Sequence, residues 1–469
     1  MLVTAPATTT GATKAHQGDL SSVFVHLGAK PPALDPRFIK LKQEIAPSDP
    51  SVLQAAYERV VKALKNESLE IRQRGPNVIP EIPFQSIVEN NGRLPDDIAA
   101  QVKKRGVLVV RGLIDETTAK AYKQQILDCI DAHRDTIVGF PADKPQAWEL
   151  YFTKAQCACR SHPNFTTAAL ALNQLWHATS ETEVDLENNL CYCDRLRIRQ
   201  PGDATFALSG HVDGGSVERW EDPTYRKCYQ KIFEGAWEEH DSFDVTHRVD
   251  AEMDMYNSPG GCSMYRIFQG WVSLSSIGPG GGTLKVCPLV KEPMAYILMK
   301  PLLEPHLQKS DLLGSWPGRC SDITPENHPE IINDCMVSVP HVNFGDAVFW
   351  HCDQVHAVEP KNESNCDSSV LYIPSSPVCR RNSEYLKRQR DMFIKGWTPP
   401  DFPANNCEEN IEGFRATPST LDANQKLGMG LTPLPIPPHE GHKEEGSLTP
   451  GQRKARLQHN QILSPFPTP

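Results

Sequence analysis

The sequence contains a His-x-Asp pair and a distant histidine that together have the ligand types of a metal site. His211 and Asp213 lie in the segment FALSGHVDGG, and His356 lies in GDAVFWHCDQVHAVEP. Side chains alternate between the two faces of an extended strand, so the residues on either side of Val212 project together. Two imidazoles and one carboxylate on one face of a metal ion leave the opposite positions free, which is the ligand set of non-haem Fe(II) oxygenases. We therefore predict that His211, Asp213 and His356 bind a metal ion.

A second His-x-Asp pair competes with the first. His351 and Asp353 lie in the run WHCDQVH, which ends at His356. The histidines that follow this run lie in a proline-rich tail, so the second pair has no evident third ligand. We expect His351 to be a core residue or one that orients a ligand. For His211 and His356, ordinary hydrogen-bonded histidine is the alternative interpretation.

The 14 cysteines raise the question of a zinc site. Two close pairs, Cys157/Cys159 and Cys191/Cys193, could supply four thiolates. Each pair is separated by a single residue, whereas structural zinc prefers a spacing of about two to four residues, so the pattern argues against zinc. The N-terminus lacks the layout of a secretory signal, and we expect most cysteines to be reduced and buried.

Composition and charge argue against two classes of partner. The net charge is −10, the pI is about 5.9, and the basic patches at 103–105 and 380–381 are too short to form a polyanion-binding surface. No apolar run approaches the roughly 20 residues that span a bilayer. We expect a cytoplasmic protein with neither a nucleic-acid nor a membrane partner. The sequence carries no signal for oligomeric state.

Apolar periodicity predicts helices in the first part of the chain and strands after about residue 190. Helices are predicted over 52–64, over 95–105 with Gly106 just past its end, and after a cap at Asp115, with a strand at 106–112 between the last two. Runs of β-branched and aromatic residues predict strands at 195–199, 205–210, 262–276, 282–290, 336–340, 347–351 and 368–375. The glycine run at 278–282 lacks the Lys-Ser/Thr of a phosphate-binding loop and predicts a hairpin turn.

These elements predict an α+β protein with a mostly β core, a jelly roll, and helices packed around it. We expect, in chain order, a disordered segment at 1–35, a helical and α/β cover at 36–190, the β core at 191–380 with a helical insertion at 221–257, a helical extension at 381–430 and a disordered proline-rich tail at 431–469. The chain is long enough for one large or two ordinary cores.

Several segments, in order along the chain, are similar to one known family. They are YFTKAQCACRSHPN, LRIRQPGD, HVDGGSVERWED, CSMYRIFQGWVSLSSIGPGGGTLKV, FGDAVFWHCDQVHAVEP, SSVLYIPSSPVCRRN and GWTPPDFP. The sequence resembles the family of domain of unknown function fourteen-seventy-nine, within the clavaminate synthase-like and phytanoyl-CoA hydroxylase-like oxygenases. The likeness covers most of residues 75–430. It implies a cupin-like double-stranded β-helix that holds Fe(II), with 2-oxoglutarate as co-substrate.

The resemblance also assigns roles to residues. It places the metal ligands on His211, Asp213 and His356. Many relatives carry an arginine shortly after the distal histidine that pairs with the far carboxylate of 2-oxoglutarate, but the corresponding segment here, KNESNCDSS, has none. We expect the planar guanidinium of Arg266, on the long central strand, to take this role, with Arg199 as the second choice. For each arginine, a structural ion pair is the alternative.

The resulting hypothesis is a non-haem Fe(II)- and 2-oxoglutarate-dependent dioxygenase. It would hydroxylate a small organic molecule with dioxygen and release succinate and carbon dioxide. One alternative is an iron oxygenase of the same fold that does not use 2-oxoglutarate, and another is a non-catalytic, cupin-like metal-binding protein. Arg219, Trp220, Trp271 and Trp350 are candidate walls of the substrate pocket, although buried tryptophans more often serve core packing. The substrate itself has no signature in the sequence.

Overall fold

Two largely antiparallel β-sheets form the centre of the protein. The computed structural model describes residues 33–205, 207–258, 261–402, 407–437 and 448–467. The strands are β1 (Glu81–Pro83), β2 (Val107–Arg111), β3 (Gly139–Phe140), β4 (Ala147–Trp148), β5 (Val184–Asn189), β6 (Leu196–Arg199), β7 (His211–Val212), β8 (Phe268–Ser273), β9 (Leu284–Val286), β10 (Ser321–Asp322), β11 (Val337–Ser338), β12 (Ala347–His351), β13 (His356–Val358), β14 (Ser368–Tyr372) and β15 (Pro377–Cys379).

The larger sheet has eight strands in the order β1-β2-β12-β8-β14-β6-β4-β3. The smaller sheet has five, in the order β10-β7-β13-β9-β11, and β15 pairs separately with β5. Neighbouring strands run antiparallel except β1 and β2. Four strands from the predicted cover, β1 to β4, thus join the large sheet, so the cover and the β core share one sheet.

Helices surround the sheets. They are α1 (Arg37–Ile45), α2 (Pro50–Arg74), α3 (Phe84–Glu89), α4 (Asp96–Arg105), α5 (Glu116–Ala132), α6 (Lys154–Arg160), α7 (Pro163–Asn173), α8 (Glu218–Glu221), α9 (Pro223–Cys228), α10 (Gln230–Phe233), α11 (Lys291–Met299), α12 (Pro329–Ile332), α13 (Arg380–Lys395), α14 (Ala423–Gly428) and α15 (Pro450–Leu463). The α+β prediction is confirmed, and α9 and α10 lie within the segment 221–257 that was predicted as a helical insertion.

Each of the three predicted helices has a cap at or near one predicted end, although α2 continues to Arg74, beyond its predicted end at 64. Asp49 precedes α2 and accepts a hydrogen bond from the Ser51 N–H, and Asp115 accepts one from the Thr118 N–H at the start of α5. Gly106 follows α4 with a φ of 69°, the left-handed conformation that favours glycine after a helix. These local signals were readable because a cap depends on only a few neighbouring residues.

The two faces of the larger sheet belong to two different hydrophobic cores. Along β2, Val107 and Val109 point into one core, while Leu108 and Val110 point into the other. An uninterrupted apolar run of this kind is typical of a strand buried on both faces. The first core continues into the smaller sheet, and the second lies against α5 and α7. The space between the two sheets is where the predicted metal ligands lie.

Two predictions about local structure in the β region are wrong. The described residues of the segment 205–210, which are 205 and 207–210, do not belong to a strand, and pairing begins at His211 in β7. The glycine run at 278–282 is not a hairpin turn: it connects β8 in the larger sheet to β9 in the smaller one. Sequence periodicity could not distinguish these cases because it does not reveal which strand pairs with which.

The glycine run instead surrounds a carboxylate of the protein. The Glu359 carboxylate accepts hydrogen bonds from the backbone N–H groups of Gly280, Gly282 and Thr283, at 2.8–3.1 Å. The Ser338 hydroxyl donates a further bond to it at 2.5 Å. Successive backbone N–H groups form an anion-binding concavity, and here an internal anion fills it.

The prediction of a disordered tail is wrong for residues 448–467, where α15 forms. Thr449 caps this helix in a box with Gln452, and Arg456 donates to the buried Asp185 carboxylate at 2.7 Å. The Thr-Pro-x-Gln start was a readable capping signal that the surrounding proline-rich composition obscured. Residues 1–32 and 438–447, also predicted to be disordered, lie outside the described residues. Among the described helices, none is both long and apolar enough to cross a membrane.

Candidate metal centre

The smaller sheet brings the two predicted histidine ligands together. His211 in β7 and His356 in β13 are direct partners in the antiparallel pairing, and their ring centroids are 4.1 Å apart. The Asp213 carboxylate lies 3.7 Å from His211 Nε2 and 3.6 Å from His356 Nε2. One ligand atom from each of the three side chains falls within 4.8 Å of the others. The predicted triad therefore converges on one point.

Backbone hydrogen bonds fix how the two imidazoles face that point. His211 Nδ1 lies 2.8 Å from the Ser209 carbonyl oxygen, and His356 Nδ1 lies 2.9 Å from the Gln354 carbonyl oxygen. A carbonyl only accepts, so Nδ1 is the donor in both contacts, and in a neutral ring of this tautomer Nε2 is the nitrogen with a free lone pair. Contacts of this type set the tautomer and ring orientation of metal-binding histidines.

The protonation states also suit a metal. Burial alone would raise the pKa of the Asp213 carboxyl, but the neighbouring His211, His356 and Arg266 together lower it to about 2. Burial, followed by the proximity of His211, lowers the pKa of His356 to about 4. At neutral pH the site presents a carboxylate and a neutral His356 imidazole, which are the forms that coordinate a metal.

A tight turn holds Asp213 in place. Gly214 and Gly215 follow it with φ values of 75° and 93°, in the region that favours glycine. The Arg219 guanidinium donates to the Asp213 carbonyl at 2.5 Å and to the Gly215 carbonyl at 2.7 Å, and the Tyr225 hydroxyl donates to the Gly214 carbonyl at 2.8 Å. Arg219, predicted as a pocket wall, instead clamps the turn that follows the ligand.

We expect Gly215→Ala to weaken metal binding about tenfold, the scale seen when support of a metal ligand is lost. A Cβ at Gly215 would lie 2.5 Å from the Met253 carbonyl oxygen, so the turn has to shift and move Asp213 with it. The matched control is Gly202→Ala, whose φ of 74° is also positive but whose Cβ would have nothing within 4 Å. Equal Fe(II) affinities of the two variants in anaerobic titration would refute this role of the turn.

The competing cluster of His351, Cys352 and Asp353 is already occupied by protein contacts. His351 Nε2 lies 2.9 Å from the Ser242 carbonyl oxygen, and its Nδ1 accepts the Asp353 N–H at 3.0 Å. The Asp353 carboxylate pairs with the fully buried Arg248 at 2.5 Å. Both ring nitrogens of His351 are therefore used, and the His351 ring stacks on Trp176 at 4.7 Å as a core residue.

The triad opens onto a cavity of about 510 Å³ between the two sheets. Trp271 from the larger sheet and Trp350 at its centre line this cavity as predicted. Trp220 does not: it is fully buried in the first core, where its indole N–H donates to the Leu298 carbonyl at 3.1 Å. The volume is within the range of small-molecule sites.

The two arginines predicted to bind the co-substrate differ in how many of their hydrogen-bond donors are free. All five N–H groups of Arg199 have acceptors: the Asp203 side chain and carbonyl, and the carbonyls of Gly282, Glu359 and Pro360. Arg199 is thus a structural residue, and the structure disfavours the prediction that it contacts a ligand. The Arg266 guanidinium lines the cavity, lies 4.0 Å from the Asp213 carboxylate and makes no hydrogen bond to a described residue.

Sequence analysis missed the residues that hold the segment carrying Arg266. The Asn382 side chain on α13 accepts from the Tyr265 N–H at 2.7 Å and donates to the Tyr265 carbonyl at 2.9 Å. Asp401 accepts from the N–H and the hydroxyl of Ser263 at 2.7 and 2.5 Å. These partners are more than a hundred residues apart, so no local pattern could reveal them.

The described cysteines do not assemble a zinc site. Cys157, Cys191 and Cys193 lie in one apolar core, but no described group of three cysteines has sulfur atoms close enough to share an ion. Burial raises the pKa of Cys191 to about 12 and that of Cys193 to about 11, so both stay neutral thiols. All described cysteines are free, as predicted.

The fold and site define an α+β protein with a two-histidine, one-carboxylate cluster at a cavity between two sheets. The profile of the Gig2-like family matches residues 32–431. The "Uncharacterized protein YbiU" of Escherichia coli strain K12 is 32% identical over 373 residues, which are 77% of this chain and 87% of YbiU.

Solved structures agree with this match. The crystal structure of GlcNAc Inducible Gene 2, GIG2 (DUF1479), from Candida albicans aligns with a TM-score of 0.81 and 30% identity over 93% of this chain and 96% of its own. The structure named "Putative Oxidoreductase from Salmonella typhimurium LT2" aligns with a TM-score of 0.76 and 31% identity over 86% of this chain and 98% of its own. The chain belongs to the Gig2-like family, which confirms the family that the motifs indicated.

Proposed function

We propose that this protein is a non-haem Fe(II)- and 2-oxoglutarate-dependent dioxygenase that hydroxylates a small organic molecule. The observation that carries the proposal is the convergence of His211, Asp213 and His356 at an open cavity. This donor set leaves half of an octahedral metal ion free for other ligands. We interpret the two sheets that enclose the cavity as the two halves of a double-stranded β-helix. The name of the Salmonella relative is consistent with this class of reaction.

The donor set fits a ferrous ion on two grounds. Ligand atoms bonded at about 2.1 Å to one ion can be no more than about 4.2 Å apart, and the separations of 3.6 and 3.7 Å from Asp213 to the two histidines satisfy this limit. Those separations are also too long for hydrogen bonds. No atom of the triad therefore donates a hydrogen bond to Nε2 of either histidine. Bound iron would supply oxidation of a C–H bond by dioxygen, with 2-oxoglutarate converted to succinate and carbon dioxide.

Residues of this chain would bind 2-oxoglutarate and exclude water from the cavity. Arg266 offers a cavity-facing guanidinium to a carboxylate of 2-oxoglutarate, because none of its N–H groups is bonded to a described residue. Its Cζ lies 5.6 Å from the centroid of the Tyr192 ring, which supports the guanidinium from one side. Trp271 and Trp350 give the cavity apolar walls that exclude water from the reacting atoms.

One observation favours the alternative, which is an oxygenase of this fold that does not use 2-oxoglutarate. Strand β14 follows the distal histidine, and its alternate residues Ser368, Val370 and Tyr372 line the cavity without an arginine among them. The anchor that many relatives carry at this place is therefore missing, and the 2-oxoglutarate assignment depends on Arg266.

We expect Arg266→Gln to raise the dissociation constant for 2-oxoglutarate by about tenfold or more, because it removes a charged, potentially bidentate hydrogen-bond donor. Anaerobic calorimetry on Fe(II)-loaded protein measures the change. Arg226→Gln, on α9 and absent from the cavity wall, is the control for loss of one positive charge. Wild-type protein that binds Fe(II) but not 2-oxoglutarate would support the alternative oxygenase instead.

A further inference from the structure

Helix α13 carries two arginines into the wall of the same cavity. Arg381 and Arg388 both line it, and their spacing of seven residues places them on one face of the helix, about 10 Å apart along its axis. Arg381 donates to the Ala251 carbonyl and lies 3.9 Å from the Glu252 carboxylate. Its position is therefore explained by contacts within the protein.

Contacts within the protein do not explain the position of Arg388 in the same way. Its Cζ lies 5.6 Å from the centroid of the Tyr385 ring, and no described residue accepts a hydrogen bond from its guanidinium or forms an ion pair with it. The side chain is partly buried at the cavity wall. A guanidinium that is partly removed from water and lacks an anionic partner is unfavourable unless a ligand supplies that partner.

The carboxylates along the cavity are engaged elsewhere. The Asp194 carboxylate lies 3.6 Å from Arg195, and the Asp254 carboxylate accepts the Ser258 N–H at 2.7 Å. Arg248 is neutralised by Asp353. No carboxylate of a described residue lies within ion-pair distance, 4.0 Å, of the Arg388 guanidinium at this part of the cavity wall.

An aromatic pair connects this position to the metal side of the cavity. The Arg388 guanidinium faces Tyr385, the rings of Tyr385 and Tyr192 are 5.4 Å apart, and Arg266 lies over Tyr192. Arg266 and Arg388 are therefore at the two ends of this series of contacts, and Arg266 is the one that lies beside the metal ligand Asp213. Two separate anionic groups can be held in the cavity at the same time.

We propose that Arg388 binds an oxyanion of the substrate, so that the substrate class is small molecules bearing a carboxylate or a phosphate group. This inference rests on the proposed function, according to which the cavity receives a substrate as well as 2-oxoglutarate. Arg266 holds the co-substrate beside the metal. Arg388 orients the substrate from helix α13 through a charge-assisted, two-pronged hydrogen bond.

The test is calorimetric titration of inorganic phosphate and, separately, of acetate. Both are titrated into protein loaded with Mn(II) and saturating 2-oxoglutarate, and into metal-free protein. We expect Arg388→Gln to weaken binding of the preferred anion about tenfold or more in both forms, and Arg388→Lys to restore part of it. Arg380→Gln, on the same helix but 68% exposed and paired with Glu384, is expected to leave the affinity unchanged.

The two anions separate the two substrate groups: tighter binding of phosphate indicates a phosphate ester, and tighter binding of acetate indicates a carboxylate. Failure of both anions to bind the wild-type protein would overturn the inference, as would equal affinities for wild type and Arg388→Gln. If the protein does not bind 2-oxoglutarate but the metal-free form still binds the anion in an Arg388-dependent way, the subsite is supported and the proposed function fails.

Discussion

Replacement of Asp213 by alanine is expected to abolish specific Fe(II) binding and all oxygenase turnover. Loss of a group that merely supports a metal ligand lowers affinity about 10–100-fold, and loss of the only carboxylate ligand should exceed that range. The fold should tolerate the change, since the Asp213 side chain is 30% exposed and pairs with no group closer than 3.6 Å. We expect the free energy of unfolding to fall by no more than about 2–3 kcal/mol, which is what a carboxyl group with a folded-state pKa of about 2 can contribute at neutral pH.

Anaerobic titration with Fe(II), read out by equilibrium dialysis and metal analysis, measures the affinity, and chemical denaturation measures the stability. Asp322→Ala is a suitable control because Asp322 also lines the cavity but lies outside the cluster. Retention of stoichiometric iron by Asp213→Ala would mean that the metal ligands lie elsewhere.

The opposite pattern is expected for Asp353, the carboxylate of the competing cluster. Burial alone would raise the pKa of this group, but Arg248 holds it well below its usual range. Both side chains are 1% exposed, and the Tyr229 hydroxyl donates to the same carboxylate at 2.8 Å. Asp353→Asn leaves Arg248 buried without a counter-charge, which is expected to lower the free energy of unfolding by about 3–5 kcal/mol.

Chemical denaturation of the metal-free protein checks this value, and the Fe(II) affinity of the folded variant should match that of the wild type. The double variant Arg248→Met with Asp353→Leu removes both charges and should recover much of the lost stability, because it leaves no unpaired ion. If the single variant loses iron without losing stability, the roles of the two clusters are reversed.

The candidate metal ligands could be proposed from sequence because their residue types and short spacing are those of a metal site. The alternation around Val212 already placed His211 and Asp213 on one side. The strand over 347–351 was predicted with the bounds that β12 has, since its apolar run lies between clear turn signals. What the pattern could not supply was the pairing of β7 with β13, which is the step that brings His356 to the other two.

The arginines show where sequence reasoning fails. Arg199 and Arg266 looked alike because both lie in apolar runs, yet the acceptors that use every donor of Arg199 come from residues up to 161 positions away. The sequence analysis did not single out Arg388, and its place in the cavity wall depends on how α13 packs. Long-range packing of this kind leaves no periodic trace in the sequence.

Anomalous diffraction at the iron absorption edge, from crystals grown anaerobically with Fe(II), tests the central claim most directly. The account predicts one strong peak per chain, about 2.1 Å from the Nε2 atoms of His211 and His356 and about as far from an Asp213 carboxylate oxygen. A peak at His351 and Asp353 would contradict it. So would an iron-free site in which Asp213 and the two imidazoles close up into direct hydrogen bonds.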